Sequence, residues 1–285
     1  MTPEISVVIP TLGRPTLAEV LARLGAPATE VLVVKDASAP DVPEATHRAD
    51  RPGASAARNL GLREASAPLV LFLGDDILPS PRLLATHREW HARLPDERVA
   101  VLGHVRWARR LRRTAFMAWL ERGIQTDYGS IAGDRAGWGH FYTTNLSLKR
   151  EFALGAGGFD EDIPFLYEDL DLGRRLHDLG LDLRYAREAE AEHLHPATLE
   201  DWRRRMEAVG RAERAFASKH PDFEPYFLRR LRSAAKGPPA KGRGARLARW
   251  VPAETPWLGP RVWASAEAYF GQQLWPSFKR GYDAG

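Results

Sequence analysis

Three short segments of this 285-residue sequence carry residue types whose spacing could do chemistry. The first is Gly74-Asp75-Asp76, which closes the apolar run Leu71-Phe72-Leu73. Adjacent carboxylates at a strand end are hard oxygen ligands, suited to Mg²⁺ or Mn²⁺ shared with phosphate. The pleat points neighbours to opposite sides, so one of the two is expected to touch an ion; a solvated acidic turn is the other reading. The second is Tyr167-Glu168-Asp169-Leu170-Asp171-Leu172. On a helix, Asp169 shares the face of Leu172, Leu176 and Leu179 and points inward at the N-terminus, where the helix dipole favours a carboxylate. Such a group can act as a general base, or as a cap or the partner of a buried Arg. The third is Glu192-His193-Leu194-His195-Pro196. In an extended chain only one of its two histidines faces a given side. A His near a carboxylate-bound divalent ion is a reasonable further ligand, and a structural or surface His is the alternative.

These segments need a scaffold, and the hydrophobic pattern supplies one. Ile5–Pro10, Glu30–Val34 and Pro68–Leu73 read as short buried strands. Helical spacing over Thr16–Leu24 and Gly53–Ala65 separates them. Alternation of strand and helix over about 70 residues indicates βαβ units and a mostly parallel sheet. Asp36 and Asp75-Asp76 fall just after strands, at the carboxyl ends where open α/β sheets bind ligands. Further on, Leu83–Leu94 predicts a helix and Val99–Leu102 a strand. Trp107–Trp138 is irregular apart from an amphipathic stretch at Phe116–Leu120. Thr143–Leu148 predicts a strand, Gly155–Asp160 a Gly-rich turn, Tyr167–Leu179 a helix stopped by Gly180, and Leu181–Tyr185 a strand. The Gly155-Ala156-Gly157-Gly158 run fits no phosphate-loop pattern; it is expected to permit a tight turn and close substrate approach.

Beyond Pro196 the character changes. Leu199–His220 predicts a helix with Arg along its exposed side. Lys236–Gly244 is a basic Pro/Gly-rich linker or disordered loop, and Ala245–Phe278 is Trp-rich and partly helical. Net charge follows the same division. The chain carries 41 Lys+Arg and 37 Asp+Glu, but Pro196–Gly285 holds 17 against 9 and Met1–His195 holds 24 against 28. The absence of cysteine excludes a disulfide scaffold, a Cys-ligated zinc site and a thiol nucleophile. No signal-like or membrane-spanning apolar run is evident, so the expected location is cytoplasmic, with peripheral contact at the inner face of the membrane.

Taken in order, the segments resemble the family 2 glycosyltransferases, which have the GT-A fold. The resemblance runs over roughly residues 4–200. It rests on Val7-Val8-Ile9-Pro10-Thr11, Val33-Val34-Lys35-Asp36-Ala37-Ser38, Ala57-Arg58-Asn59-Leu60-Gly61, Phe72-Leu73-Gly74-Asp75-Asp76, Thr144–Arg150, Gly157-Gly158-Phe159-Asp160-Glu161, Glu168-Asp169 and His193. It implies an α/β GT-A domain over 1–198 and a basic, mainly helical region over 199–285. By the same resemblance Asp36 binds the nucleobase, Pro10 and Thr11 form the loop beside the nucleotide, and Arg58 and Asn59 border its pocket. Asp76 and His193 are the implied metal ligands, with His195 the second choice, and Asp169 is the implied base. Gly158, Phe159, Asp160 and Glu168 fall on the acceptor side. Trp138, Phe141 and Tyr142 precede the Asn145 strand and could stack on a sugar face, or simply pack.

Two positions depart from the family pattern. Gly74 replaces the first carboxylate of Asp-x-Asp, leaving Asp75 or its backbone to stand in on the nucleotide side. Lys35 replaces the first Asp of Asp-Asp-Gly-Ser and puts a cation beside the pocket or on its rim. The implied reaction is inverting transfer of a sugar from a nucleoside-diphosphate donor to a glycan or lipid-linked acceptor, in glycan or cell-surface polysaccharide synthesis. A single base and no evident second nucleophile suit one displacement. The basic region, with Trp202, Trp250, Trp257, Trp263 and Trp275, is expected to meet an anionic partner, a membrane surface among them. Three other readings compete with this one. A nucleotidyltransferase would want a Gly cluster after the first strand, where Pro10-Thr11-Leu12-Gly13-Arg14 stands. A nucleic-acid binder would want aromatics interleaved with the cations on a recognition motif, and nucleic acid is not an expected partner. A catalytically silent nucleotide-sugar-binding protein would fit the loss at Gly74.

Overall fold

Runs of β-branched and aliphatic residues bury both faces only inside a sheet covered by helices, and the chain resolves its apolar segments that way. The computed structural model describes residues 4–25, 29–163 and 166–285. In chain order the elements are β1 (Ile5–Thr11), α1 (Leu17–Ala22), β2 (Thr29–Lys35), β3 (His47–Arg48), α2 (Ala54–Glu64), β4 (Leu69–Leu73), β5 (Ile77–Pro79), α3 (Leu83–Arg93), β6 (Val99–Trp107), α4 (Ala115–Leu120), β7 (Asn145–Lys149), α5 (Arg150–Gly155), α6 (Glu168–Asp178), β8 (Asp182–His193), α7 (Leu199–Lys219), α8 (Tyr226–Lys236), α9 (Gly242–Ala245) and α10 (Leu258–Ala284). They form two compact units. One comprises Met1–Arg109, Tyr128–Asp162 and Glu168–His195; the other comprises Arg110–Asp127, Ile163–Tyr167 and Pro196–Gly285.

The first unit is one eight-stranded sheet in the order β3-β2-β1-β4-β7-β6-β8-β5. The pairings β2–β3, β1–β2, β1–β4 and β6–β8 are parallel, whereas β7 runs antiparallel to both its neighbours. Val8, Phe72, Leu102 and Leu146 of the sheet share one core with Leu62 of α2 and Leu172 and Leu176 of α6. β8 is longer than the five-residue strand predicted. After an irregularity at Gly103/His104 it continues to His193 and pairs antiparallel with β5. Leu179, expected on the buried face, lies past the end of α6 and is exposed.

Under β7 a polar chain threads the core. Lys149 Nζ donates to His91 Nδ1 at 2.9 Å, and His91 Nε2 meets Ser147 Oγ at 2.9 Å. Ser147 Oγ meets His87 Nδ1 at 2.8 Å, and His87 Nε2 meets Asn145 Oδ1 at 3.0 Å. Asn145 Nδ2 donates to Ala189 O, which fixes its amide orientation. A lysine only donates, so His91 Nδ1 accepts and that ring is neutral with hydrogen on Nε2; Asn145 Oδ1 only accepts, so His87 carries hydrogen on Nε2. Burial accordingly pushes the His87 pKa down to about 4 and the His91 pKa to about 3.

The second unit is helical. α7 and α10 cross at backbone distance: a Cβ on Gly281 would lie 1.9 Å from Glu207 O, and one on Gly210 would lie 2.3 Å from Phe278 O. Glu267 of α10 accepts from both Nε and Nη2 of Arg230 at 2.7 Å and from Trp119 Nε1 at 2.8 Å. Trp202 is buried, whereas Trp250 and Trp257 are exposed. The Lys236–Gly244 stretch, expected to be a linker or disordered loop, begins with the last residue of α8 and runs into α9 at Gly242. Among the described residues no helix is long and apolar enough to cross a membrane.

Candidate active site

The parallel strands β1, β2 and β4 end together, and their last residues bond to one another. Asp36 N donates to Thr11 O at 2.9 Å. Thr11 Oγ1 donates to Asp75 Oδ2 at 2.7 Å and accepts from Gly13 N, while Thr16 Oγ1 donates to Asp75 O. Asp75 is thus a buried tie between β4 and the loop after β1. Burial, with the charge of Asp76, pushes its pKa up against the Thr11 hydrogen bond. Arg14 Nε lies 3.2 Å from Asp75 Oδ1 and 3.7 Å from Asp76 Oδ2. Burial also raises the Asp36 carboxyl, but donors outweigh it. Ser38 N and Oγ bind Oδ1, Gly53 N binds Oδ2, and the pKa falls below the ordinary value. Gly53 precedes α2 with φ +114°, a conformation open to glycine. Pro10 sits in β1 opposite Val34. Lys35 Nζ lies 3.5 Å from Asp41 Oδ1.

β5 places His193 beside Asp76. Ile77 pairs with His193, Leu194 N donates to Asp76 O at 2.8 Å, and His193 Nε2 lies 3.8 Å from Asp76 Oδ2. His193 Nδ1 is 2.9 Å from His195 O. A carbonyl only accepts, so Nδ1 carries the hydrogen and the Nε2 lone pair is left toward Asp76. Burial lowers the His193 pKa against the pull of Asp76 and so favours the uncharged ring. A carboxylate and an oriented neutral imidazole fit Mn²⁺ or Mg²⁺, with phosphate and water completing the shell. His195 contributes its carbonyl to this arrangement. Among the described residues no group of three or more His, Asp or Glu gathers as a ready ligand set. Gly74 has a steric reason to be glycine: a Cβ there would lie 2.8 Å from Ile77 Cγ1 and 3.1 Å from Asp76 Oδ1.

The Glu168-Asp169 pair begins α6. Arg58 Nη1 donates to Glu168 Oε1 at 2.9 Å, both side chains being buried. Asp169 follows, half-buried, with Leu170 N donating to its Oδ1 at 2.9 Å. Burial, then the neighbouring Glu168 charge, pushes its pKa up to about 7, against Arg58 and the backbone amides of Leu170 and Thr143. Thr144 O, one residue beyond Thr143, accepts from Gly74 N at 3.3 Å. The base candidate and the Asp75-Asp76 turn are therefore tied through adjacent residues of one segment.

Several predicted contacts acquire different roles. Asn59 brackets Phe159: its Oδ1 accepts from Phe159 N and its Nδ2 donates to Phe159 O, both at 2.8 Å. The Phe159 ring is packed in the core, edge-on to Phe72 at 5.1 Å. It is therefore unable to face an acceptor, and the segment shapes its surroundings through backbone. Gly158 has φ +67°, and a Cβ there would lie 2.6 Å from Asn59 Oδ1. Arg175 holds Asp171 and donates to the carbonyls of Ala156 and Gly158. Asp160 Oδ1 accepts from Asp162 N. Phe141 is fully buried and is a packing residue, while Trp138 is half-buried with the Arg174 guanidinium 5.6 Å from its ring centroid. The sequence motifs do not single out Arg14, although a cation three residues past a strand-end threonine is visible in Thr11-Leu12-Gly13-Arg14.

Residues 3–212 match the family described as "Glycosyltransferase like family 2". Validoxylamine A glucosyltransferase of Streptomyces hygroscopicus subsp. limoneus is 29% identical over 278 residues, covering 78% of this chain and 58% of that protein. The same-named enzyme of S. hygroscopicus subsp. jinggangensis is 30% identical over 207 residues, covering 60% and 46%. The chain thus spans about half the length of these relatives. Among solved structures, the mannosyltransferase PcManGT of Pyrobaculum calidifontis, in complex with GDP-Man and Mn²⁺, superposes with a TM-score of 0.55 at 19% identity, covering 94% of this chain and 75% of that one. S. aureus TarS 1-349 superposes with a TM-score of 0.55 at 15% identity, covering 99% and 92%. Family match and fold agree, and the chain belongs to the family 2 glycosyltransferases, enzymes of the GT-A fold.

Proposed function

We propose that this protein is an inverting glycosyltransferase that moves a sugar from a nucleoside-diphosphate donor to an acceptor hydroxyl, in the synthesis of a glycan or cell-surface polysaccharide. The observation that carries the reading is Asp169: a half-buried carboxyl at a helix start whose pKa is pushed up to about 7, where a general base works best at neutral pH. The acceptor oxygen attacks the anomeric carbon as Asp169 takes its proton. The bond from that carbon to the diphosphate oxygen breaks, and the electron pair leaves with the diphosphate. Attack opposite the leaving group inverts the centre in one step. Asp76 and His193 are the residues that would hold a divalent ion, and such an ion would supply positive charge to the departing diphosphate. The Mn²⁺ and GDP-Man of the Pyrobaculum structure make Mn²⁺ the first ion to try. Asp36, Thr11, Pro10 and Asp75 frame the nucleotide side, with Arg58 and Asn59 behind it. Arg58 acts through Glu168, and Asn59 through the Gly158–Asp160 turn. Residues 1–198 serve as the catalytic domain. The basic region 199–285 meets an anionic partner at the cytoplasmic face of a membrane, or a lipid-linked or polyanionic acceptor.

Asp169→Asn should cut transfer about 10²- to 10⁴-fold while nucleotide binding survives, read by thermal stabilisation with UDP, GDP, CDP and dTDP, each with and without Mn²⁺. Turnover at the parent's rate in that variant would sink the assignment.

A further inference from the structure

Six large hydrophobic residues are exposed among the described residues, and four of them fall between 247 and 258. They are Leu247, Trp250 at 71% exposure, Trp257 at 84% and Leu258. A soluble surface scatters such residues singly; here they gather on one short segment of the helical unit. That segment is built rather than loose. Val251 O accepts from Trp263 Nε1 at 2.9 Å. Gly259 packs so closely that a Cβ would lie 2.2 Å from Ala253 O. Trp257, at the start of α10, is held at φ +63°.

Cations share this stretch of chain. Residues 236–261 contain six Lys and Arg against the single acid Glu254. Lys241, Arg243, Arg246 and Arg261 are exposed, and no carboxylate partner appears for them among the described residues. Arg249 lies 4.6 Å from the ring centroid of Trp250.

We propose that Leu247, Trp250, Trp257 and Leu258 insert into the interface of an anionic lipid bilayer while Lys241, Arg243, Arg246 and Arg261 engage its headgroups. Amphipathic indoles prefer the boundary between headgroup and acyl chain, and free cations add attraction to anionic lipid. The unpaired positive charge is what selects a lipid surface over a second copy of this chain, whose identical patch would repel it. The inference rests on the reading that the basic region meets an anionic partner, and it narrows that partner to a membrane through a named patch.

Co-sedimentation with phosphatidylcholine vesicles, with and without phosphatidylglycerol, tests it on the full chain. Binding is expected only with phosphatidylglycerol and should fade with added salt. Trp257→Ser should lower partitioning roughly tenfold, and Arg246→Gln with Arg261→Gln roughly twentyfold. Because all three side chains are exposed, the melting temperature should not move. No sedimentation, or sedimentation indifferent to phosphatidylglycerol and to these substitutions, overturns the proposal. So does a concentration-dependent dimer that Trp257→Ser dissolves. The catalytic reading is separable: Asp169→Asn should sediment like the parent, and Trp257→Ser should bind nucleoside diphosphates like the parent.

Discussion

Each unit of the molecule holds a buried or half-buried carboxyl whose pKa is raised by burial, and the two are wired differently. Glu213 of the helical unit is fully buried and saturated. Tyr167 Oη donates to it at 2.6 Å, Phe227 N at 2.7 Å and Leu228 N at 2.8 Å, so it caps α8 from α7. Asp169 of the sheet unit is only half-buried, receives backbone donors and neighbours a second carboxylate. A raised pKa therefore does not by itself mark function. Glu213 spends its lone pairs on holding a helix in place, and Asp169 keeps room to exchange a proton.

That contrast predicts opposite outcomes for matched substitutions. Asp169→Asn should cut transfer about 10²- to 10⁴-fold with little loss of stability. Glu213→Gln should leave transfer per folded molecule unchanged and lower stability by about 1–3 kcal/mol, since an amide N–H would face backbone donors. Kinetics and urea denaturation on both variants read the two effects. A Glu213→Gln protein that folds normally but transfers nothing would break the distinction.

The pH profile sharpens it. Transfer should rise with pH as Asp169 loses its proton near pH 7. Stability linkage has its own sign for each group. Asp169 has a folded pKa above its unfolded one, so its stabilising contribution is full at low pH and lost as pH rises through about 7. His87 and His91 run the other way. Their folded values of about 4 and 3 lie below the unfolded value near 6.5, so the unfolded state binds more protons between. Their contribution is full above pH 6.5 and is lost as pH falls toward 4. Protonating His91 Nδ1 would also set donor against donor at Lys149, and protonating His87 Nδ1 would remove the acceptor of the Ser147 hydroxyl. The denaturation midpoint should therefore drop between pH 6.5 and pH 4, and His91→Gln should flatten that slope.

Much of the sheet unit was legible because its signals are local. Alternating strands and helices set the βαβ order, and the strand-end positions of Asp36, Asp75 and Asp76 follow from it. The position of His193 was legible as a motif but not as geometry. It depends on β8 continuing past an irregularity to pair with β5, a long-range match that periodicity does not encode. Phe141 reads as able to stack on a sugar because aromatics suit both a core and a sugar face, whereas Phe159 falls on the acceptor side by family resemblance; packing buries both rings. In the helical unit the charge split was visible. Which tryptophans stay exposed was not, since the burial of Trp202 and the exposure of Trp250 and Trp257 are set by tertiary packing that composition does not encode.

The smallest expected effect concerns Gly74, the position where this chain departs from Asp-x-Asp. If Gly74 were merely a lost ligand, Gly74→Asp should restore one and tighten Mn²⁺. The space around it argues otherwise. A Cβ would meet Ile77 Cγ1 at 2.8 Å, inside van der Waals contact, and the atom after it is Asp76 Oδ1 at 3.1 Å. Ile77 is buried and is the residue that pairs with His193, so any shift there moves both proposed metal ligands. A new carboxylate would also add like charge beside Asp75 and Asp76, with Arg14 the cation already engaged. Gly74→Asp should thus cost about 1 kcal/mol of stability and leave the Mn²⁺-dependent thermal stabilisation by nucleoside diphosphate equal or weaker. Stronger Mn²⁺ stabilisation would mean that the turn can open to take the side chain, and that Asp76 and His193 are not fixed by the packing of Ile77.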